Sequence, residues 1–320
     1  MKYGRKAAAL FLAAVLLCVC LSGCSGSKAK YTVGVCQLTQ HPALDAATQG
    51  FADTLKEKLG DEVRIVVQNA SNDTPTCTNI VNNFVSDHVD LILANATPAL
   101  QAAAAATNSI PILGTSVTDY ATALDIADWT GSTGRNISGS SDLAPLSEQA
   151  AMLHELFPDA KNVGLLYCSA EPNSVYQCGI VETELKKFGY NVKWYAFSDS
   201  NDLASVTTTA CAESDVLYIP TDNTVADNTE VINNIALPAK TPIVAGEEGI
   251  CRGCGVATLS ISYYDIGKAA GEMAYRILCE GADVASMPVA FAEAATKKYD
   301  AERCQALGVT VPSGYETIGG

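Results

Sequence analysis

Short apolar runs alternate along this chain with longer stretches in which apolar residues recur every three or four positions. The run over 32–36 predicts a buried strand. A helix is predicted over 44–59, because Phe51, Leu55 and Leu59 lie four residues apart and form one apolar face. Strands and amphipathic helices that alternate in this way are typical of parallel sheets covered by helices on both faces.

The same order of elements occurs twice. Strands are predicted at 32–36, 63–67, 90–94 and 110–113 in the first half, and at 162–168, 192–197, 215–219 and 241–244 in the second. Corresponding strands lie about 130 positions apart. A further strand over 255–259 and a helix over 264–279 are expected to cross back and complete the first half. The predicted fold class is therefore α/β, with two Rossmann-like lobes of parallel sheet and a hinge where the chain passes between them.

Basic residues followed by an apolar run open the chain. Three basic residues in the first six positions precede the apolar run over 7–19, which is the build of an export signal and is shorter than the ~20 residues that a membrane-spanning helix needs. Leu-Ser-Gly-Cys at 21–24 resembles a bacterial lipobox, whose cysteine is acylated and becomes the mature N-terminus. We expect a signal peptide over 1–23, and a lipidated Cys24 with its tether over 24–30, on the outer face of the cytoplasmic membrane. The alternatives are an uncleaved anchor and an ordinary signal with an incidental cysteine.

The charge and the cysteines exclude several classes of partner. The net charge is −15 and no basic cluster follows the signal, which disfavours nucleic acids and anionic lipid headgroups. Three of the twelve cysteines lie in the signal and lipobox, which leaves nine, an odd number that cannot all pair within one chain. Cys251 and Cys254 have the spacing of a redox or half-zinc site, but no second Cys or His pair follows them. We therefore predict neither a metal nor a cofactor.

The loops that follow the predicted strands are the candidate site. Ligands of parallel α/β sheets bind at the carboxyl ends of the strands, and six of these loops are rich in Ser, Thr, Asn, Asp and Glu. The candidate ligand-binding residues in them are His41, Thr97, Thr118, Asp119, Asn173, Ser174, Thr221, Asp222, Asn223 and Glu248. The same residue types also begin turns and cap helices, which is the alternative explanation of each loop.

The polar groups of these loops favour a zwitterion such as an amino acid. Hydroxyls, amides and helix N-termini suit a carboxylate, whereas Asp119, Asp222 and Glu248 suit an ammonium group. We assign the ammonium group to Asp222, with Glu248 as second choice and a helix cap as the alternative role of Asp222. Of the three histidines only His41 is placed to meet a ligand. No Gly-x-Ser-x-Gly elbow, Walker loop or dinucleotide fingerprint occurs, so we predict no catalytic residue and no enzyme.

Several of these loops resemble a known family, the extracytoplasmic solute-binding proteins of ABC transporters that include the tryptophan-binding lipoproteins. The matching segments are 41–45, 96–99, 141–143, 171–174, 220–225 and 263–267. The resemblance runs from about residue 31 to 309, and departs from the family pattern at Ser262, where an Asp is expected, and in its many cysteines. It adds Ser141 and Asp142 to the candidate residues, and we assign the ligand carboxylate to Thr97, Ser141 and Asn173.

The resemblance implies a type I periplasmic binding protein-like fold of two lobes. Three crossovers would join a first lobe, 31–142 plus about 251–284, to a second, 143–250 plus about 285–320. The lobes would close around one small molecule, an amino acid with aromatic ones favoured, and a monomer would deliver it to an ABC permease in the membrane. The alternative function is a ligand-sensing receptor or an enzyme built on the same fold.

Acylation of Cys24 can be tested by metabolic labelling. We expect a labelled acyl chain on the wild-type protein and none on Cys24→Ala, because only a thiol at this position can be lipidated in the lipobox. Globomycin should block processing of the wild type. Release of an unacylated wild-type protein into the medium would contradict the prediction.

Overall fold

A computed structural model describes residues 29–319 of the chain. The predicted signal peptide, the lipobox with Cys24 and most of the tether lie outside the described residues. The strands are β1 (Tyr31–Gln37), β2 (Val63–Asn69), β3 (Leu91–Asn95), β4 (Ile112–Thr115), β5 (Ile137–Gly139), β6 (Asn162–Cys168), β7 (Asn191–Phe197), β8 (Val216–Ile219), β9 (Ile243–Ala245), β10 (Ala257–Ile261), β11 (Ala295–Tyr299) and β12 (Glu316–Thr317).

Helices connect most of these strands. They are α1 (Pro42–Leu59), α2 (Thr74–Ser86), α3 (Thr97–Ala106), α4 (Tyr120–Leu124), α5 (Leu146–Leu156), α6 (Pro172–Lys187), α7 (Ser200–Glu213), α8 (Asn223–Asp227), α9 (Thr229–Ala239), α10 (Glu248–Cys254), α11 (Tyr263–Glu280) and α12 (Ala301–Leu307). The bounds predicted from the sequence agree with these to within two residues. Within 29–319, no helix combines the length and the apolar character needed to cross a membrane.

The strands form two sheets, one in each lobe. The first has the order β2-β1-β3-β4-β5 and is parallel throughout. The second has the order β12-β11-β10-β9-β8-β6-β7, in which β10 and β11 are antiparallel and the other described pairs are parallel. Apolar clusters lie on both faces of each sheet, as the continuous apolar strands predict.

The expectation that the strand near 255–259 completes the first lobe is wrong. The strand β10 pairs with β9 in the second sheet, at Ala257 with Val244 and at Thr258 with Ala245. Only the helix that follows it, α11, returns to the first lobe. The reason is that α10 is short and brings β10 back beside β9, so the crossing comes one element later, at Ser262.

The two lobes are joined by three crossovers, the number that the family resemblance implies. They are the segments between β5 and α5, between β10 and α11, and between α11 and β11. Two of them pair side by side, because the amide of Ser141 donates to the carbonyl of Ala290 (2.7 Å) and the amide of Ala290 donates to that of Gly139 (2.9 Å). Parallel connections held together in this way form a hinge rather than a loose linker.

Glycines allow α11 to pack directly on α1. A Cβ atom at Gly267 would overlap the carbonyl oxygen of Ala47, and one at Gly50 would overlap the carbonyl oxygen of Tyr264. At Gly271 a Cβ atom would lie 2.7 Å from the Cβ of Thr54. The two backbones therefore meet at distances that only hydrogen side chains permit, and this contact attaches the returning helix to the first lobe.

Substitution of Gly267 tests this contact. Gly267→Ala should lower the free energy of unfolding by about 1–3 kcal/mol or more, because the new methyl group meets backbone that cannot move aside. The matched control is Gly179→Ala in α6, where a Cβ has no neighbour within 4 Å. That change should raise stability by about 0.5–1 kcal/mol through helix propensity. Urea unfolding measures both, and equal effects of the two substitutions would contradict the close contact.

Candidate ligand site

The carboxyl ends of the two sheets face each other across a closed cleft. Three side-chain hydrogen bonds cross it: Thr39 Oγ1 to Asp227 Oδ2 (3.4 Å), Asn72 Nδ2 to Thr224 Oγ1 (3.2 Å), and His41 Nε2 with Asn223 Oδ1 (3.3 Å). His41 and Asn223 are both buried, at 7% exposure each. The predicted loops of the two lobes are thus brought together, and the described conformation is the closed one.

A buried carboxylate, Glu171, organises the second lobe's side of the cleft. Its oxygens accept hydrogen bonds from the backbone amides of Asn223 (2.9 Å) and Thr224 (2.8 Å). They also accept from the side chains of Asn223 (2.8 Å), Thr224 (2.8 Å) and Asn173 (3.1 Å). Glu171 directly precedes α6, yet its carboxylate binds the N-terminus of α8, so it fixes the loop after β8 from the end of the neighbouring strand β6.

The assignment of Asp222 to the ligand ammonium is not supported by its contacts. Asp222 is 1% exposed and caps α8, where Oδ1 accepts from the amide of Val225 (2.9 Å). Its Oδ2 accepts from the amide of Cys168 (2.7 Å) and the hydroxyl of Ser174 (2.8 Å). Burial, and then the nearby Glu171 carboxylate, raise the pKa of Asp222 above its ordinary range. The alternative role, a helix cap, is the one that the geometry favours, and Ser174 is its partner.

The residues predicted near 118 and 141–142 form a cluster at the hinge. The hydroxyl of Ser141 donates to the carbonyl of Thr118 (2.8 Å) and accepts from the amide of Leu143 (3.0 Å). Asp142 accepts from the hydroxyls of Thr118 (2.9 Å) and Tyr263 (2.9 Å), and burial raises its pKa. Because these groups are engaged with one another, we withdraw Ser141 from the carboxylate site and assign the cluster to the crossovers.

The two remaining acidic candidates also have partners within the protein. Asp119 caps α4 through the amide of Thr122 (2.7 Å). Glu248 binds Arg252 (2.8 Å) and Lys298 (2.6 Å), along a groove of about 1050 Å³ beside the hinge. The negative charge of Glu248 is therefore already compensated by two basic side chains, which makes it a poor second choice for the ligand ammonium group. Thr221 lies nearby in the second lobe, where its carbonyl accepts from Asn173 Nδ2 (3.0 Å).

Four buried polar atoms at the edges of the cleft have no hydrogen-bond partner within residues 29–319. They are His41 Nδ1, Asn95 Oδ1, Ser116 Oγ and Asn173 Oδ1. An unpaired buried polar atom costs about 1–3 kcal/mol, so each of the four needs an explanation. Three of the atoms belong to the first lobe and one to the second, so a ligand that satisfied them all would touch both lobes.

Hydrogen bonds fix two of these atoms as acceptors. Asn95 Nδ2 donates to the carbonyl of Leu44 (2.8 Å) and to Thr48 Oγ1 (2.9 Å), which leaves Oδ1 as the unpaired end of the amide. Asn173 Nδ2 donates to Glu171 and to the carbonyl of Thr221, which likewise leaves its Oδ1. Neutral oxygen acceptors of this kind match the N–H groups of an ammonium ion.

The backbone between the first lobe's strands and helices offers the complementary chemistry. The helix α3 begins at Thr97 without a side-chain cap, after Ala96 with φ 93°. Ser116 follows β4 with φ 54°. Non-glycine residues in this region are strained, and such strain is found at binding sites. The free amides at the start of α3, with the Ser116 hydroxyl, suit a carboxylate, as the sequence predicts for Thr97.

Sequence reasoning found the loops but missed Glu171, Asn95 and Ser116 within them. All three lie at the carboxyl ends of strands, where the sequence predicts the site: Asn95 is the last residue of β3, Ser116 follows β4, and Glu171 lies in the loop after β6. Only their position in these loops pointed to them. Which polar residue of a loop is free to contact a ligand depends on which of its neighbours cap helices, and the sequence does not show that. Glu171 precedes Pro172 at a helix start, a position at which an acid is ordinarily the cap of its own helix.

The sequence predicts neither a metal site nor a cofactor, although Cys251 and Cys254 have the spacing of a redox or half-zinc site. In the described part of the chain, no three His, Cys, Asp or Glu side chains lie together as metal ligands would. The nine described cysteines are thiols, and all but Cys279 are buried. Cys251 and Cys254 are both buried in α10, and burial raises the pKa of each thiol, so both behave as small apolar side chains.

Comparison with known proteins places these features in context. The model of the ABC transporter substrate binding protein family matches residues 32–315. A tyrosine-binding protein of Clostridioides difficile (strain R20291) is 36% identical over 302 residues, which cover 89% of this chain and 87% of that protein.

Two solved structures are similar over nearly the whole chain. An ABC domain from Streptococcus pneumonia in complex with L-Trp has a TM-score of 0.86 at 30% identity, and covers 91% of this chain and 100% of its own. A substrate binding protein with adhesive properties from Clostridium difficile, in its ligand-free open form, has a TM-score of 0.69 at 35% identity, and covers 90% and 99%. Although the second is more similar in sequence, the first is more similar in shape, which agrees with a closed cleft.

Truncation of Asp222 separates a cap from a ligand contact. Asp222→Ala leaves two buried amides and a hydroxyl without an acceptor, so we expect the free energy of unfolding to fall by about 2–5 kcal/mol. Ligand affinity should change less than tenfold. The control is Asp199→Ala, which removes an exposed cap of α7 (Asn201 N, 2.8 Å) and should cost about 1 kcal/mol or less. Urea unfolding and calorimetry measure both effects; a large loss of affinity at unchanged stability would restore Asp222 to the site.

Proposed function

The chain belongs to the family of ABC transporter substrate binding proteins, and we propose that it captures an aromatic amino acid outside the cytoplasmic membrane and delivers it to an ABC importer. The family and the type I periplasmic binding protein-like fold predicted from the sequence are confirmed. Proteins of this family bind a small molecule and act with a membrane transporter. The identity of the ligand, the lipid anchor and the monomeric state are the parts that we propose.

The observation that carries the ligand class is the set of unpaired polar atoms in the cleft. His41, Asn95 and Asn173 offer neutral acceptors for an ammonium group, and the start of α3 with Ser116 offers donors for a carboxylate. The Glu171 carboxylate accepts a hydrogen bond from Asn173 Nδ2, so it lies close to the unpaired Oδ1 of the same side chain. Its negative charge favours a cation at that oxygen. A free amino acid carries both an ammonium group for these acceptors and a carboxylate for these donors.

An aromatic side chain follows from the relatives and from the energy that binding needs. One relative is a tyrosine-binding protein and one similar structure holds L-Trp. Burying ~150–250 Å² of aromatic surface at ~25 cal/mol/Å² contributes roughly 4–6 kcal/mol, whereas micromolar affinity needs about 8 kcal/mol after the costs of ordering. Charge-assisted hydrogen bonds at about 1.5–3 kcal/mol each supply the rest.

The remaining parts of the proposal concern location and activity. The basic and apolar segments before Leu-Ser-Gly-Cys support export and acylation at Cys24. In our proposal the protein binds its ligand without chemical change, acts as a monomer, and needs no cofactor. A receptor or an enzyme on the same fold is the alternative, and turnover of a bound ligand would distinguish the enzyme.

Calorimetry against the twenty amino acids tests the proposal. We expect L-tyrosine, L-tryptophan or L-phenylalanine to bind at least tenfold more tightly than the aliphatic amino acids, because an aromatic side chain buries more apolar area and a pocket shaped for its ring leaves space beside a smaller side chain. Small-angle scattering should show a smaller radius of gyration with the ligand, since a ligand that touches both lobes favours closure. Preference for an aliphatic or acidic amino acid would refute the aromatic assignment, and unchanged scattering at saturation would refute closure.

A further inference from the structure

We infer that His41 determines specificity for the ligand ammonium group, as a neutral imidazole whose Nδ1 accepts a hydrogen bond from it. This inference rests on the proposed function, because it names the residue that reads one end of the amino acid. It gives His41 two different tasks at its two ring nitrogens. One nitrogen joins the lobes, and the other meets the ligand.

The protonated nitrogen is fixed by a chain of hydrogen bonds that begins at Glu171. The carboxylate accepts from both the backbone amide and Nδ2 of Asn223, at 2.9 and 2.8 Å. The amide of Asn223 cannot be reversed, since its oxygen would then face the Glu171 oxygen. Asn223 therefore presents Oδ1 to His41 Nε2 at 3.3 Å, and an amide oxygen can only accept. Nε2 must carry the proton.

In a neutral ring, protonation of Nε2 leaves Nδ1 as an acceptor with a free lone pair. His41 is 7% exposed, and its Nδ1 has no partner within residues 29–319. Burial lowers the pKa of His41, which keeps the ring neutral. A buried, oriented acceptor of this kind rejects a ligand without the matching donor, because its desolvation is then uncompensated.

The surrounding charges select an ammonium group as the donor. The carboxylates that face the ring are Glu171 from the start of α6, Asp227 from α8 and Asp45 from its own helix. They favour positive charge beside Nδ1. On acidification the ring itself would take that charge, Nδ1 would become a donor, and the ligand ammonium would be repelled. Affinity should therefore fall as the pH falls through the pKa of His41 in the unliganded protein, because the bound ammonium group holds the ring in its neutral form.

Two substitutions separate the two nitrogens. His41→Gln places an amide near the position of Nε2, so it can keep the bond to Asn223 while it loses the Nδ1 acceptor. His41→Asn places an amide near the position of Nδ1, so it can keep an acceptor for the ligand while it loses the bond to Asn223. We expect L-tyrosine or L-tryptophan, whichever binds the wild type more tightly, to bind His41→Gln about ten- to a hundredfold more weakly, and His41→Asn with a smaller loss.

The reverse order, with His41→Asn the weaker binder, would mean that His41 only latches the lobes, and equal affinity of wild type and His41→Gln would also overturn the inference. Failure of the wild type to bind any aromatic amino acid would instead refute the proposed function.

The protein has three histidines, so 15N-imidazole NMR, assigned with His41→Gln, reads the tautomer of His41 directly. We expect a protonated Nε2 and an unprotonated Nδ1 in the ligand complex, with affinity that falls in acid for the wild type and less so for His41→Asn. A protonated Nδ1 would refute the inference.

Discussion

The direct contact between α1 and α11 is the constraint from which the two-lobed arrangement follows. Gly50, Gly267 and Gly271 remove the side chains that would separate the helices, so the backbones meet. Because α11 comes after most of the second sheet, this contact obliges the chain to return to the first lobe and leave it again. Two further crossovers are the topological consequence, and they place a hinge beside the carboxyl ends of both sheets.

Three buried carboxylates near the cleft are stabilised by hydrogen bonds from backbone amides. Glu171, Asp222 and Glu247 are nearly inaccessible, and each receives amide protons from the start of a helix. Helix N-termini neutralise such carboxylates, although burial still raises the pKa of Glu247 to about 7. Once these acids serve as caps, they no longer offer a free oxygen to a ligand. In our proposal, recognition then falls to the neutral groups that they position, which are Asn173 directly and His41 through Asn223.

The same polar residue types serve as helix caps and as ligand contacts, and this limits what could be predicted from the sequence. The strands and helices were predictable because apolar periodicity is local, and the loops of the site followed from the rule that parallel strands bind ligands at their carboxyl ends. The position of β10 was not predictable, because either sheet could accept an apolar strand. Nor were the roles of Asp222 and Asn95, since cap and ligand contact use the same residue types. A residue can contact a ligand only if its oxygen has not already accepted a hydrogen bond from the protein, and only the fold decides which oxygens have done so.

The unpaired atoms of the cleft also connect binding with movement. Four buried polar atoms without partners would cost roughly 4–12 kcal/mol if closure left them all unsatisfied, at about 1–3 kcal/mol each. In our proposal an open cleft exposes these atoms to solvent, so the penalty belongs to the closed state. A ligand that pairs with them removes the penalty only on closure, and that difference in affinity between the two states is what shifts the equilibrium. The three hydrogen bonds that join the lobes are too few and too long to outweigh it alone. In our proposal the polar atoms that recognise the ligand are therefore the same ones that disfavour closure of an empty cleft.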